Sequence, residues 1–290
     1  MCFTHWDLDG VLCYLVLKWT FPKDQIEYEA TTAQTFRNTF TKWLSNHDLE
    51  DYDKVFIMDL GIYEDKDLID YKNVFIIDHH PGHDKSTYKN AKTAIKNTGS
   101  ACALAYKIFK GLYGTNFTKP QLHLIALAHD FDAYKLKDER SAKLNIVFWD
   151  STNKFETFIK SFINGFNGFT LKQLNIIKIH DLALQKIKEG LDVYGGYETF
   201  QGKKRYVCAT FANKYINEVA DTLLKDYKSD IALVINIATN HVSYRRRKDG
   251  IDIDLSKIAA ELGDGAGHEF SSGSKITENF ENFTKKLIKI

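Results

Sequence analysis

Residues 73–80 read Asn73-Val74-Phe75-Ile76-Ile77-Asp78-His79-His80: four apolar residues in succession, then a carboxylate and two imidazoles. Residues 54–59, Lys-Val-Phe-Ile-Met-Asp, repeat the pattern and end on Asp59. Unbroken apolar runs of this length suit strands covered on both faces, which is the environment of a parallel sheet. Working outward, residues 1–5 and 26–30 read as further strands, and amphipathic stretches at about 10–19 and 32–44 read as the helices between them. The resulting βαβ rhythm predicts a doubly wound sheet. Helical patterns follow at about 100–112, 120–129, 141–148 and 155–163. Residues 164–170 (Asn-Gly-Phe-Asn-Gly-Phe-Thr) interrupt the pattern, because closely spaced Gly and Asn favour turns over either regular structure.

Beyond the interruption, residues 171–189 read as one long helix, and the alternation then restarts. Strands are predicted at 205–210, 231–237 and 241–245, and helices at 216–225, 255–262 and 277–288. The expected fold is therefore α/β. Residues 1–165 form a domain around a mainly parallel doubly wound sheet, 166–192 a linker helix, and 193–290 a smaller α/β domain, with a cleft between the two. A chain of 290 residues is long enough for two cores.

The formal net charge is +1. A protein that coats duplex DNA usually carries a clear basic excess to displace counterions, so the balance favours a short ligand held in a local basic patch. The four cysteines, Cys2, Cys13, Cys102 and Cys208, are scattered without a CxxC pair. That spacing predicts neither a structural zinc site nor a disulfide framework, and it fits a reduced, cytoplasmic chain. No apolar run reaches the length of a membrane span, and the ionisable residues at the N-terminus read against a signal peptide.

The carboxylates and imidazoles fall mostly at the C-terminal ends of predicted strands, the edge where open α/β sheets bind ligands. In His5-Trp6-Asp7-Leu8-Asp9-Gly10 the three ionisable groups alternate, so an extended strand end would point them the same way. Asp59 and Asp78-His79-His80 end the next two buried strands, and Ala-His129-Asp130-Phe131-Asp132 ends a helix. A lone Asp after a strand is commonly a turn or cap residue. Several such groups ending successive elements point instead to a shared site. Mixed Asp and His sets suit Mn²⁺ and similar ions, and a carboxylate shared between two ions is the design of two-metal hydrolytic sites.

In these motifs the chain resembles the DHH phosphoesterase superfamily. Asp78-His79-His80 is similar to the name-giving motif, His5-Trp-Asp7-Leu-Asp9-Gly10 to the first, Asp59 to the second and Asp130 to the fourth. The spacing His-x-Asp-x-Asp, where many members have His-x-x-x-Asp-x-Asp, resembles the branch that holds nanoRNases and RecJ-like nucleases. The resemblance implies two Mn²⁺ ions, with Mg²⁺ or Co²⁺ as substitutes. His5 and Asp7 would hold one ion, Asp9, His79 and Asp130 the other, and Asp59 would bridge them. It further implies that His80 touches the scissile phosphate or helps protonate the leaving oxygen, and that Asp78 orients the histidines.

Residues 263–273 (Gly263-Asp-Gly265-Ala-Gly267-His268-Glu-Phe-Ser271-Ser-Gly) resemble the glycine-rich motif of the DHH-associated (DHHA1) substrate domain, with Ala266, Ser271 and Ser272 where Gly and Ala are usual. Ser243-Tyr-Arg245-Arg246-Arg247 resembles that domain's Ser-x-Arg segment. Arg245, Arg246, Gly265, Gly267, His268 and Ser271 are thus the expected substrate-binding residues. Arginine forks and close backbone N–H groups both suit phosphate.

Phe131, Tyr244 and Phe270 adjoin these motifs and are candidates to stack on a base, with packing the commoner role for each. Pro81 is expected to stiffen the turn after His80. The expected substrate is a short single-stranded oligonucleotide or a dinucleotide, cleaved to 5′-mononucleotides. The expectation involves no membrane and leaves room for a homodimer. An inorganic pyrophosphatase of the related family II and a silent nucleotide-binding module are the alternatives.

Overall fold

Strand β1 (Cys2–His5) is an interior strand of the N-terminal unit, and both of its faces meet apolar side chains. A computed structural model describes residues 1–80, 83, 88–247 and 251–290, the side chains of Tyr63 and His268 excepted. Contacts divide the chain into two compact units, Met1–Lys178 and Ile179–Ile290.

In the first unit, β1 is followed by α1 (Leu8–Thr20), β2 (Tyr28–Thr31), α2 (Ala33–Leu44), β3 (Val55–Met58), the single turn α3 (Lys66–Ile69), β4 (Val74–Asp78) and β5 (Lys92–Ile95). The five strands form one parallel sheet in the order β2-β1-β3-β4-β5. Successive side chains of a strand point to opposite faces, and β3 shows the consequence. Val55 and Ile57 pack with Phe36, Phe40 and Trp43 of α2, whereas Phe56 and Met58 pack in the cluster containing α1. Both faces are thus covered, which explains the unbroken apolar runs. Strand β5 is not expected from the sequence. It is an edge strand with no fully buried residue, so it carries no apolar signature.

The second layer on the α1 face is built from α4 (Ala101–Tyr113), α5 (Lys119–Asp132), α6 (Glu139–Asp150) and α7 (Lys154–Phe162). Helix α5 opens with a capping box between Thr118 and Gln121 and has a proline in its first turn, where a missing N–H costs nothing. It continues three residues past the predicted end at His129, and that extension decides which of its acidic residues can reach the site.

Helix α8 (Leu171–Glu189) contains the point at which the two units divide. The second unit holds a seven-stranded mixed sheet, in the order β10-β11-β9-β8-β7-β6-β12. Its elements are β6 (Val193–Phe200), β7 (Lys203–Phe211), α9 (Ile216–Lys225), β8 (Ile231–Asn236), β9 (His241–Arg246), α10 (Leu255–Gly263), β10 (Ala266–His268), β11 (Ser271–Lys275), α11 (Glu278–Thr284) and β12 (Ile288–Lys289). Leu233 and Ile235 face α10 and α11, and Ala232 and Val234 face α9, the same two-sided burial as in the first unit. The glycine-rich segment, read from sequence as a phosphate-approaching loop, forms the β10–β11 hairpin. No helix among the described residues is long and apolar enough to cross a membrane.

Candidate metal centre

The first motif reaches the site by a turn of geometry that alternation does not anticipate. β1 stops at His5, and Asp7 is the N-cap of α1, its Oδ1 accepting the Gly10 N–H at 3.0 Å. Asp9 is therefore the second residue of a helix and not the end of an extended strand. Asp7 Oδ2 lies 2.6 Å from His5 Nδ1. The turn is tight enough to demand Gly10: a Cβ there would lie 1.8 Å from the His5 carbonyl oxygen. Thr4 donates its hydroxyl to the Gly10 carbonyl at 2.9 Å and closes the corner. Asp9 is buried and accepts the backbone N–H groups of Ala101 and Cys102 at 2.6 and 3.0 Å. The first turn of α4 thus holds a carboxylate from another helix, as helix N-termini hold anions generally.

Asp59 follows β3 with a φ of 61°, a left-handed conformation that costs a side-chain-bearing residue energy, least for Asx residues. Its N–H is tied to the Ile77 carbonyl at 2.9 Å, and its carboxylate is buried. Asp78 ends β4 fully buried, and both of its oxygens are used. His80 donates to one through Nδ1 at 2.7 Å, and His83 to the other through Nδ1 at 2.7 Å. Nδ1 donation leaves Nε2 of His80 for other work. His83 Nε2 is itself 2.8 Å from the Tyr88 hydroxyl. Asp78 therefore orients His80 and His83. His79 turns its Nε2 the other way, 3.2 Å from Asp59 Oδ1, 3.5 Å from Asp132 Oδ2 and 3.7 Å from Asp9 Oδ2.

Asp130, expected from the fourth motif, is not in this cluster. Its carboxylate accepts the N–H groups of Lys137 and Asp138 at 3.2 and 3.1 Å and closes the loop after α5. Because α5 continues through residue 132, positions 130 and 132 lie about 200° apart around the helix. Only one can face the sheet edge, and it is Asp132. Among the described residues three groups of ligand atoms converge, each within 4.8 Å: His5, Asp7 and Asp59; Asp59, His79 and His80; Asp9, His79 and Asp132. Asp59 and His79 are each common to two of the groups.

The charges in the cluster are unbalanced. Burial, reinforced by Asp9, Asp7, Asp132 and Asp78, drives the Asp59 carboxyl well above the usual carboxylate range. Burial together with Asp9 and Asp7 pushes Asp132 up to about 9. Against the same burial, the hydrogen bond from His5 holds Asp7 below its ordinary value, and those from His80 and His83 hold Asp78 below its own. Burial lowers His79, with the Asp9 charge opposing it, whereas Asp78 raises His80 against burial. Asp59 Oδ2 and Asp132 Oδ2 are buried without a hydrogen-bond partner. Unsatisfied buried oxygens are rare and costly, and a crowd of carboxylates and imidazoles is the donor set that divalent cations take up. The residues fit such ions.

In the second unit, Arg245, Gly265, Gly267 and Ser271 line one surface depression with His241 and Ser243. Arg245 donates to the Tyr244 carbonyl at 2.8 Å and to Asn217 Oδ1 at 2.7 Å. Arg246 leaves the expected binding set. It is buried, lies over the Phe270 ring at 4.0 Å, and donates to the Arg247 carbonyl at 3.1 Å, to the Ile251 carbonyl and to Glu269. The register explains the split, since neighbouring residues of β9 face opposite sides of the sheet.

The glycines are required by packing: a Cβ on Gly265 would lie 2.2 Å from the Gly273 carbonyl, and Gly267 has a φ of +147°. The side chain of His268 and the whole of Pro81 lie outside the described residues. Of the stacking candidates, Tyr244 is fully buried with its hydroxyl on Ser274, Phe131 packs against the core and Phe270 carries Arg246. Tyr244 and Phe131 are packing residues, whereas Phe270 stays 39% exposed.

Over residues 1–129 the chain matches the DHH family, N-terminal domain. No curated protein matches it by sequence. Among solved structures, it shares its fold with the pGpG-specific phosphodiesterase PggH from Vibrio cholerae, at 11% identity and a TM-score of 0.61 over 98% of this chain and 96% of that one. An exopolyphosphatase-related protein from Bacteroides fragilis is similar at 12% identity and a TM-score of 0.57, over 98% of this chain and 91% of the other. RecJ from Thermus thermophilus, in complex with Mn²⁺, is similar at 11% identity and a TM-score of 0.59, over 98% of this chain but only 50% of RecJ. At such identities the likeness is one of fold. Residues 1–129, in which Asp78-His79-His80 ends β4, thus carry a DHH-family N-terminal domain, and the rest of the chain is similar to these proteins in fold.

Proposed function

We propose that this chain is a metal-dependent phosphodiesterase that hydrolyses short oligonucleotides or dinucleotides to 5′-mononucleotides. The observation that carries the reading is Asp59, a buried carboxylate with one unpartnered oxygen that belongs to two of the three ligand groups at once. His5, Asp7 and Asp59 would hold one divalent ion, and Asp9, His79 and Asp132 a second, with Asp59 shared. The donor set suits Mn²⁺, with Mg²⁺ or Co²⁺ as substitutes. Ions bound there would make water nucleophilic near neutral pH and draw charge from the phosphoryl oxygens.

The chain's own groups then have defined tasks. His80 presents Nε2, with Asp78 on its Nδ1 raising its basicity. It can therefore carry a proton near neutral pH, donate to a phosphoryl oxygen and protonate the departing alkoxide. Arg245, Ser271 and Gly267 are assigned to a substrate phosphate in the second unit, the arginine by its fork and the others by hydroxyl and N–H groups, whereas the Gly265 N–H is already donated to the Ala259 carbonyl at 3.0 Å and Gly265 serves the close packing of the hairpin. The near-neutral charge of the chain fits a short substrate.

The test is product analysis with purified protein and Mn²⁺. RNA and DNA dinucleotides, five-residue oligonucleotides, a longer single strand, a cyclic dinucleotide and pyrophosphate are offered side by side, with Asp59→Asn as control. Mononucleotides released fastest from the shortest chains, and lost in the variant, are the expected result. Cleavage of pyrophosphate alone would replace this reading with an inorganic pyrophosphatase. Nucleotide binding without turnover would replace it with a silent binding module.

A further inference from the structure

Trp6 stands between two ligand-group residues, His5 and Asp7, yet its side chain is 46% exposed. Trp149, near the end of α6, is 47% exposed, and the two indoles meet edge to face at 6.1 Å. Lys154, the first residue of α7, places its ammonium 3.8 Å from the Trp6 ring centroid and 3.5 Å from that of Trp149. Its charge is also close enough to interact with the Asp7 carboxylate. Large aromatic side chains left half in water forgo burial, and a pair of them braced by a cation is a poor use of apolar surface unless something covers it. Of the other aromatics beside the site motifs, Tyr244 is buried, Phe131 packs against the core, and Phe270 lies in the second unit with Arg246 over its ring.

We propose that Trp6, Trp149 and Lys154 form a nucleobase subsite adjoining the metal centre, in which Trp149 stacks on one base of the substrate, Trp6, at 89° to it, meets the edge of that base, and Lys154 meets the neighbouring phosphate. The inference rests on the phosphodiesterase reading and adds to it the means by which a nucleotide diester is told from a bare phosphoanhydride. The two parts match the two parts of a nucleotide. Indole surface is sequence-tolerant and takes any base, and an ammonium held in place by two π faces offers a fixed positive charge to the phosphate. Trp6 is one residue away from ligands on either side, so a base against it is joined to a phosphate within reach of the cluster.

The experiment compares Trp149→Ala and Trp149→Phe with the wild-type protein, each first checked for an unchanged thermal midpoint. With Mn²⁺, kcat/KM is measured for a dinucleotide and for its analogue lacking one base. Base stacking predicts that the preference for the intact dinucleotide falls about 10-fold in Trp149→Ala, mainly through KM, and is largely kept in Trp149→Phe. An unchanged preference overturns the subsite. A second measurement does not depend on turnover: tryptophan fluorescence is titrated with the same dinucleotide in EDTA, where no hydrolysis occurs. Quenching in the wild-type protein that weakens in Trp149→Ala supports the subsite even if no diester is cleaved, in which case only the phosphodiesterase reading fails. Absence of quenching in the wild-type protein overturns the subsite whatever the activity.

Discussion

Replacing Asp132 by Asn should make the metal-free protein more stable at neutral pH and remove much of the stability that Mn²⁺ confers. The Asp132 carboxyl is raised from 3.8 to about 9 by burial and by the charges of Asp9 and Asp7. A carboxyl whose folded pKa lies above its unfolded value costs nothing below the unfolded pKa. It then destabilises the fold progressively as pH rises toward the folded pKa. Between 3.8 and pH 7 lie about three pH units at 1.36 kcal/mol each, so the cost at neutrality is ~4 kcal/mol if Asp132 alone carries it. Asn cannot ionise and escapes that cost.

A divalent ion escapes it too, by displacing the proton and supplying positive charge. At 100 times its dissociation constant such an ion adds about 2.7 kcal/mol. The assay is thermal melting from pH 5 to 8, with EDTA and with excess Mn²⁺. In EDTA the wild-type midpoint should fall with rising pH while that of Asp132→Asn falls less. At pH 7.5 the gain from Mn²⁺ should be several degrees in the wild-type protein and clearly smaller in the variant. Asp130→Ala should instead lower the midpoint under all conditions and keep the gain, because that carboxylate serves two backbone N–H groups. If Asp130 and Asp132 exchange these behaviours, the placement of α5 in the site is wrong.

Asp59→Ala removes the carboxylate common to two ligand groups and should lower kcat at least about 100-fold, judged by the loss usual for a group that merely supports a ligand; substantial retained turnover in the dinucleotide assay would remove Asp59 from the centre. Asp78→Asn deprives His80 of the charge that raises it. The pH above which activity declines should move to lower pH, with kcat reduced about 10- to 100-fold, and an unshifted profile would remove His80 as the proton carrier. Arg245→Ala should chiefly raise KM, whereas Arg246→Ala should leave KM alone and cost about 2 kcal/mol in urea melts, because it removes the buried guanidinium that serves the carbonyls of Arg247, Ile251 and Glu269.

The sheet can be read from sequence because burial on both faces leaves a one-dimensional trace: Val55–Met58 and Val74–Ile77 have no polar residue to mislead. The trace vanishes where burial does, so the edge strand Lys92–Ile95 and the short strands β10 and β12 leave no sign in the sequence. At the site, residue type is legible and direction is not. Asp7 groups with His5 and Asp9 with His79 and Asp132, but alternation along a strand accounts for neither, since the strand ends at His5 and the helix start places the two carboxylates. Asp130 and Asp132 differ only in where they sit around α5, and that depends on how far the helix continues past His129. His83 carries no signal beyond its closeness to His80, since its partner Asp78 already has a role in the motif.

Hydrogen bonding separates the acidic residues in a way that the chain order cannot. Asp7 gives one oxygen to its helix start and the other to His5. Asp9 gives both to the first turn of α4, Asp78 both to histidines, and Asp130 both to a loop. Each of these carboxylates stabilises a piece of the fold whatever else it does, so its burial has a structural explanation. Asp59 and Asp132 do not fit that account. Each keeps a buried oxygen without a hydrogen-bond partner, each is raised by burial among like charges, and Asp59 in addition holds a left-handed backbone. A fold selected for stability alone would replace both with apolar or amide side chains. Their retention at the point where three ligand groups meet is the strongest physical argument that the cluster exists to take up positive charge, and it owes nothing to resemblance.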